Sequence, residues 1–169
     1  MRFFTTLLCS LTLGLALPNC AQKSVSAAQQ APATKDYHLR QGGGPVLTFE
    51  RTACMGKCPT YTMQVYADGR VMYEGRRYVP LMGQRDLKLP AATVADMLRK
   101  AQEAQFDQFE DRYAAYTTDL PSTIIGIQQP NGLLKKVVII EGAPENVNKL
   151  VASLGTQLDQ LAKVGGATE

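Results

Sequence analysis

"TYTMQVYADGRVMYEGRRYV", residues 60–79, decides how this chain folds. Two runs of alternating apolar and polar residues flank Asp68-Gly69, a dipeptide that marks a tight hairpin. A type I′ turn needs positive φ at both central positions, and Asp-Gly supplies it. One face of the hairpin presents Tyr61, Met63 and Val65. Upstream, "VLTFERT" (46–52) alternates in the same way, with Val46, Thr48 and Glu50 on one face and Leu47 and Phe49 on the other. Downstream, "RDLKL" (85–89) is a short strand in which Leu87 and Leu89 alternate with charges.

The period then changes. Pro90 suits the first turn of a helix, and Val94, Met97, Leu98 and Ala101 recur at helical spacing, which predicts a helix over 90–105. "STIIGIQQPNGLLKKVVII" (122–140) is a second hairpin around Pro130-Asn131-Gly132, apolar on both faces as central strands are. Pro144 opens a longer helix with the stripe Val147, Leu150, Val151, Leu154, Leu158 and Leu161, stopped by Gly165-Gly166. Hairpins with two one-sided amphipathic helices predict an α+β fold. It is a two-layer sandwich, an antiparallel sheet of about five strands with both helices packed on one face.

The 169 residues suffice for one domain, expected at 45–165. Residues 1–20 carry one basic residue, Arg2, and the apolar run "FFTTLLCSLTLGLALP", too short to span a bilayer and suited to a signal peptide. "LPNC" then reads as a lipobox that makes Cys20 the acylated first residue, with Leu17 in the favoured position although Pro18 and Asn19 depart from the pattern. The competing reading is cleavage after "VSA" at Ala27. Residues 21–44 are rich in Ala, Gln, Ser, Gly and Pro without apolar periodicity, the composition of a flexible linker. The expectation is an exported protein of the cell envelope, lipid-anchored, with its domain in the periplasm or at the outer membrane.

Charge excludes one class of partner. Lys plus Arg number 18 against 15 acids; without Arg2 the balance is 17 against 15, or +2. Nucleic-acid binding wants a strongly basic face. The pairs Arg76-Arg77 and Lys135-Lys136 read as solvated faces, and neither helix has the basic polar face that lies on membranes.

Within the domain the chemistry concentrates in "TACMGKCPTY" (52–61). Cys9 leaves with the signal peptide and Cys20 with the anchor, so Cys54 and Cys58 remain. In an oxidising compartment such a pair forms a disulfide. The bridge is possible if Met55-Gly56-Lys57 turns back sharply, with Gly56 providing backbone freedom. So short a loop contributes only about 2 kcal/mol, so its benefit is local to the turn that feeds Tyr61. Two other chemistries stay open at the same sulfurs. Lys57 would lower a thiol pKa and favour redox exchange, although redox cysteines usually begin a helix and alternation resumes here directly after Cys58. "CxxxCP" also resembles the copper motif of Sco-type chaperones, and two thiolates with Met55 would suit Cu(I). Those proteins use a distant His, whereas the single His, His38, lies in the linker, and a zinc site would lack two ligands.

"FDQFEDRYAAYTTDLP" (106–121) gathers Asp107, Glu110, Asp111 and Asp119 among Phe106, Phe109, Tyr113 and Tyr116. Such a set can form an acid/base pair or a sugar pocket, but reads more simply as a polar connection with aromatic anchors on the core. A Ser/His/Asp set needs a histidine in the domain. "QGGGP" precedes a strand rather than opening a helix, so it is no phosphate loop.

Taken together, "RTACMGKCPTYTMQVYADGRVMYEG", "TDLPST" and "EGAPENV" resemble the bacterial domain of unknown function 6438 family. Its pattern is Cys-x-Gly-x-Cys-Pro-x-Tyr, a Tyr-x-Asp-Gly hairpin with Tyr-Glu-Gly after it, and Thr-Asp-x-Pro. The pattern falls on Cys54, Gly56, Cys58, Pro59, Tyr61, Asp68, Gly69, Tyr73, Asp119 and Pro121. The resemblance implies exported or lipid-anchored relatives and a candidate surface at Gly56, Pro59, Tyr61, Tyr73, Asp119 and Pro121. It attaches no reaction. The reading that emerges is a non-catalytic binding or interaction module with a Cys54–Cys58 disulfide and no cofactor. Its partner would be an envelope protein or glycan, with no nucleic acid, and it would meet the membrane only through its anchor. Thiol redox work and Cu(I) handling are the alternatives.

Overall fold

The structure, a computed structural model, describes residues 43–114 and 119–165. The segments expected to be a signal peptide and, almost entirely, a linker lie outside the described residues, as do Cys20, Tyr116 and Gly166. In chain order the elements are β1 (Leu47–Arg51), β2 (Thr60–Val65), β3 (Arg70–Arg77), β4 (Gly83–Lys88) and α1 (Ala91–Glu103), then a 3-10 turn (Phe106–Gln108). β5 (Arg112–Tyr113), β6 (Thr123–Gln128), β7 (Leu134–Ile139) and α2 (Glu145–Leu161) complete the domain.

All strands share one sheet in the order β4-β3-β2-β1-β6-β7-β5. The sheet has seven strands and is mixed, a correction to the expected five antiparallel ones. β5 runs parallel to β7, with Arg112 beside Val138 and Tyr113 beside Ile139. Two residues show no alternation, so this strand cannot be read locally; it forms because β7 offers an edge.

β1 is the central seam. Leu47 and Phe49 face Val65 and Met63 on one side and Ile127 and Ile125 on the other. With Val71, Tyr73 and Val137 they build a buried layer. Val94, Met97, Leu98 and Ala101 of α1 and Val147, Leu150, Leu154 and Leu158 of α2 join the same core. Each of the valine, leucine and methionine side chains among them contributes about 1.5–3 kcal/mol by leaving water. The opposite sheet face carries Thr62, Gln64, Met72 and Glu74 and stays at least partly open to solvent.

Both hairpins turn by the same device, which around Pro130-Asn131-Gly132 spans the expected residues and at Asp68-Gly69 replaces the expected type I′ turn. Gly69 donates to the Tyr66 carbonyl at 3.0 Å and Tyr66 to the Arg70 carbonyl at 2.8 Å, so three residues form the loop. Gly69 has φ +90° while Asp68 is absent from the left-handed region. A type I turn followed by a left-handed glycine needs only one such residue. Asp68 instead accepts the Arg70 N–H at 3.0 Å. A Cβ on Gly69 would stand 2.1 Å from the Leu89 carbonyl oxygen, so glycine is required twice over.

The last helix also ends differently. Lys163, with φ +58°, closes it before Gly165 is reached. Lys163 donates to the Gln160 carbonyl and Val164 to the Asp159 carbonyl, the paired bonds of a Schellman motif. Val164 is thereby folded back toward the last turn, where Asp159 sits.

Candidate functional site

The cysteine segment is the loop between β1 and β2. The sulfurs of Cys54 and Cys58 lie at disulfide-bonding distance, with Cα atoms 5.7 Å apart. Gly56 donates its N–H to Cys54 Sγ at 3.2 Å. Its expected backbone freedom is not used: its φ lies outside the left-handed region, and an added Cβ would meet only Cys54 Sγ at 3.7 Å. Thr52 ties the loop to the segment before β6. Its N–H donates to the Ser122 carbonyl at 3.0 Å, and its Oγ1 accepts the Ser122 N–H at 2.7 Å.

Beneath the loop, β1, β2, β6 and α2 meet through polar side chains. Arg51, the last residue of β1, donates from Nη2 to Asp159 Oδ2 at 2.7 Å and from Nη1 to Thr123 Oγ1 at 2.7 Å. The Tyr61 hydroxyl donates to Asp159 Oδ1. Phe49 lies under the guanidinium, 5.1 Å from its ring centroid. Burial raises the Tyr61 phenol far above its usual range, and the hydrogen bond to the Asp159 carboxylate and that charge push the same way. For Arg51, burial alone would lower the pKa, but the hydrogen bond and charge of Asp159 outweigh it and the net shift is upward. Tyr61 is therefore a neutral donor and Arg51 a fixed cation at neutral pH.

A carboxylate in the last turn of a helix faces the negative end of the helix dipole. Arg51 compensates for this at Asp159. Room for the guanidinium comes from Gly155, one helical turn earlier: a Cβ there would lie 3.0 Å from Arg51 Nη2 and 3.8 Å from Phe49 Cζ.

Next to this network opens a cleft of about 480 Å³. The β1–β2 loop contributes Thr52, Cys58 and Pro59, and the segment entering β6 contributes Pro121, Ser122 and Thr123. Ile139 and Ile140 at the end of β7 form another wall, with Asn148 and Val151 of α2 opposite, and Arg51 and Asp159 also line it. Two other concavities, of about 220 and 230 Å³, are smaller.

The residues picked out from the sequence fall in different places. Cys58, Pro59 and Pro121 line the cleft. Asp119 precedes Pro121 by two positions with φ +72°, a conformation that Asp tolerates. Tyr61 and Tyr73 are buried rather than on a surface: Tyr61 stacks between Phe49 and Tyr73 with centroids 6.0 and 5.7 Å away, and Tyr73 donates to the Leu81 carbonyl at 2.8 Å. Asp68 and Gly69 shape the hairpin turn described above. The acidic-aromatic segment is a connection: Phe106 and Phe109 are buried and pack at 5.3 Å, and Lys135 Nζ donates to the carbonyls of Asp107 and Phe109 at 3.1 and 2.6 Å.

Arg51, Asp159, Thr123 and Asn148 were not singled out in the sequence. One signal was available: Gly155 lies within the apolar stripe of α2, where glycine costs about 1 kcal/mol and usually marks a close approach. As for sulfur chemistry, β2 begins at Thr60, so no helix N-terminus follows Cys58 to stabilise a thiolate. Among the described residues, no three His, Cys, Asp or Glu side chains are grouped to hold a metal ion, and no helix is long and apolar enough to cross a membrane.

The arrangement defines an α+β sandwich with a cleft edged by a cysteine-paired loop. The model of the family described as domain of unknown function (DUF6438) matches residues 45–158, more than half of the chain, and the chain belongs to that family. No curated protein matches it.

Proposed function

We propose that this domain is a non-catalytic binding module of the cell envelope, whose binding site is the cleft between the Cys54–Cys58 loop, Pro121-Ser122 and α2. In this reading residues 1–20 direct export, Cys20 carries the lipid anchor, and the linker lets the domain reach its partner. The supporting observation is that Cys58-Pro59 and Pro121, from two separate motifs of the sequence, line the same cleft. The Cys54–Cys58 bridge then serves as a staple that fixes one wall.

A photoreactive amino acid placed at Asn148, on the cleft, and at Gln84, on the far strand β4, tests this in the native cell. A discrete cross-linked product from position 148 and none from position 84 is the expected outcome. Equal labelling from both positions, or none from 148, overturns the assignment of the cleft.

A further inference from the structure

We propose that the cleft receives an extended peptide segment of a partner protein, rather than a glycan or a charged small molecule; this rests on the cleft being the binding site. The first argument is electrostatic. Arg51 and Asp159 neutralise each other, with side chains 30% and 22% exposed, so the described lining carries no net charge to select an anion or a cation. What it presents is donors beside acceptors. Arg51 uses three of its nitrogens on Asp159 and Thr123, leaving two of its five N–H groups unspent. Asp159 and the hydroxyl of Ser122 lie on the same lining. A peptide unit, with one N–H and one C=O, matches such a surface.

The second argument is apolar. Ile139, Ile140, Val151 and Val164 share the lining with the polar groups, and among the described lining residues none is aromatic. Sugars are commonly held on aromatic faces; aliphatic walls suit aliphatic side chains. The loops that form two of the walls also carry large apolar side chains in water. Met55, inside the cysteine loop, is 83% exposed, and Leu120, next to Pro121, is 39% exposed. Exposed apolar residues on the loops that also wall a concave, polar-centred site suit a protein interface, and methionine adapts its shape to a partner.

The test uses the purified full chain with two probes, a phage-displayed library of random linear peptides and an array of envelope glycans. Asn148→Arg places a charge in the cleft from an exposed helix position, Val151→Arg does so from a half-buried one, and Gln84→Arg is the control on β4. Thermal melts confirm folding of each. The expected result is a family of selected peptides with an aliphatic consensus whose affinity falls at least about tenfold with Asn148→Arg and is unchanged with Gln84→Arg. Glycan binding that Asn148→Arg abolishes, without cleft-dependent peptides, overturns the peptide inference and leaves the cleft as the binding site. Absence of cleft-dependent binding of either probe overturns both.

Discussion

Arg51 and Asp159, 108 positions apart, meet in a two-point contact, Nη2 to Oδ2 at 2.7 Å and Nε to Oδ1 at 3.4 Å. The contact joins the end of the central strand to the last turn of α2, and Tyr61 and Thr123 complete it from the two neighbouring strands. One carboxylate therefore ties α2 to two strands, and through Arg51 to a third, at the place where the cleft opens.

Removing that carboxylate leaves a half-buried cation and a buried phenol without their partner. Asp159→Ala is expected to cost about 2–3 kcal/mol, less than a fully buried pair because the side chains keep some solvent contact. Urea unfolding should show a lower midpoint at unchanged slope. A loss below about 1 kcal/mol would show that the network contributes little.

Gly155 gives a test of its geometry. Replacing a mid-helix glycine by alanine normally gains up to about 1 kcal/mol. Here the new Cβ would press on Arg51 Nη2, which Asp159 and Thr123 hold in place. Gly155→Ala should therefore destabilise the wild-type chain and stabilise an Arg51→Ala chain. The double-mutant cycle should report a coupling of at least about 1 kcal/mol; additive effects would mean the guanidinium moves aside freely.

The raised phenol sets the alkaline limit. Tyr61 in the unfolded chain ionises near its ordinary value of 10, while in the fold it keeps its proton. Above pH 10 the unfolded state thus binds fewer protons than the native one, and stability falls as pH rises. Below pH 10 this contribution is fully present. Tyr61→Phe should make the alkaline decline shallower, as followed by denaturant midpoints. Some decline remains, because burial raises Tyr73 in the same sense. An unchanged slope would mean that Tyr61 ionises as readily folded as unfolded.

Alternation and helical spacing made the core faces legible. Tyr61, Met63 and Val65 share one face as the alternation predicts, and that face is buried, as is the stripe of Val94, Met97, Leu98 and Ala101. β5 was not legible, since its pairing with β7 is a tertiary fact about two residues. The cleft was legible only in its cysteine-proline rim. Arg51 and Asp159 carry no local pattern, and only the fold brings residues at such separation together. Tyr61 and Tyr73 illustrate the converse: motif residues that looked like a surface are packing residues, one aligned by Asp159 and the other by the Leu81 carbonyl.

The cysteine pair separates staple from chemistry. Closing so short a loop contributes about 2 kcal/mol in the chain-entropy account, and the double substitution Cys54→Ser, Cys58→Ser should lose about that much while the chain still folds. Amide exchange should quicken around residues 52–59 and stay slow in β2. Retained partner binding at a temperature where the variant is folded marks a staple. Binding or activity lost from a folded variant would instead place the function on the sulfurs themselves.

Intact-mass spectrometry of the protein isolated from its native cells, alkylated before and after reduction, addresses the N-terminus and the loop at once. A lipobox at "LPNC" requires a mature chain that begins at Cys20 and carries acyl groups, whereas cleavage after Ala27 yields an unmodified chain that lacks residues 20–27 as well. The expected spectrum is the acylated species, with Cys54 and Cys58 alkylated only after reduction. The two halves of the result are independent. An unacylated mass would remove the membrane tether and leave the cleft unaffected. Alkylation of both cysteines before reduction would mean that the wall formed by Cys58 and Pro59 is held without a bridge, and it would bring thiol or Cu(I) chemistry to the front.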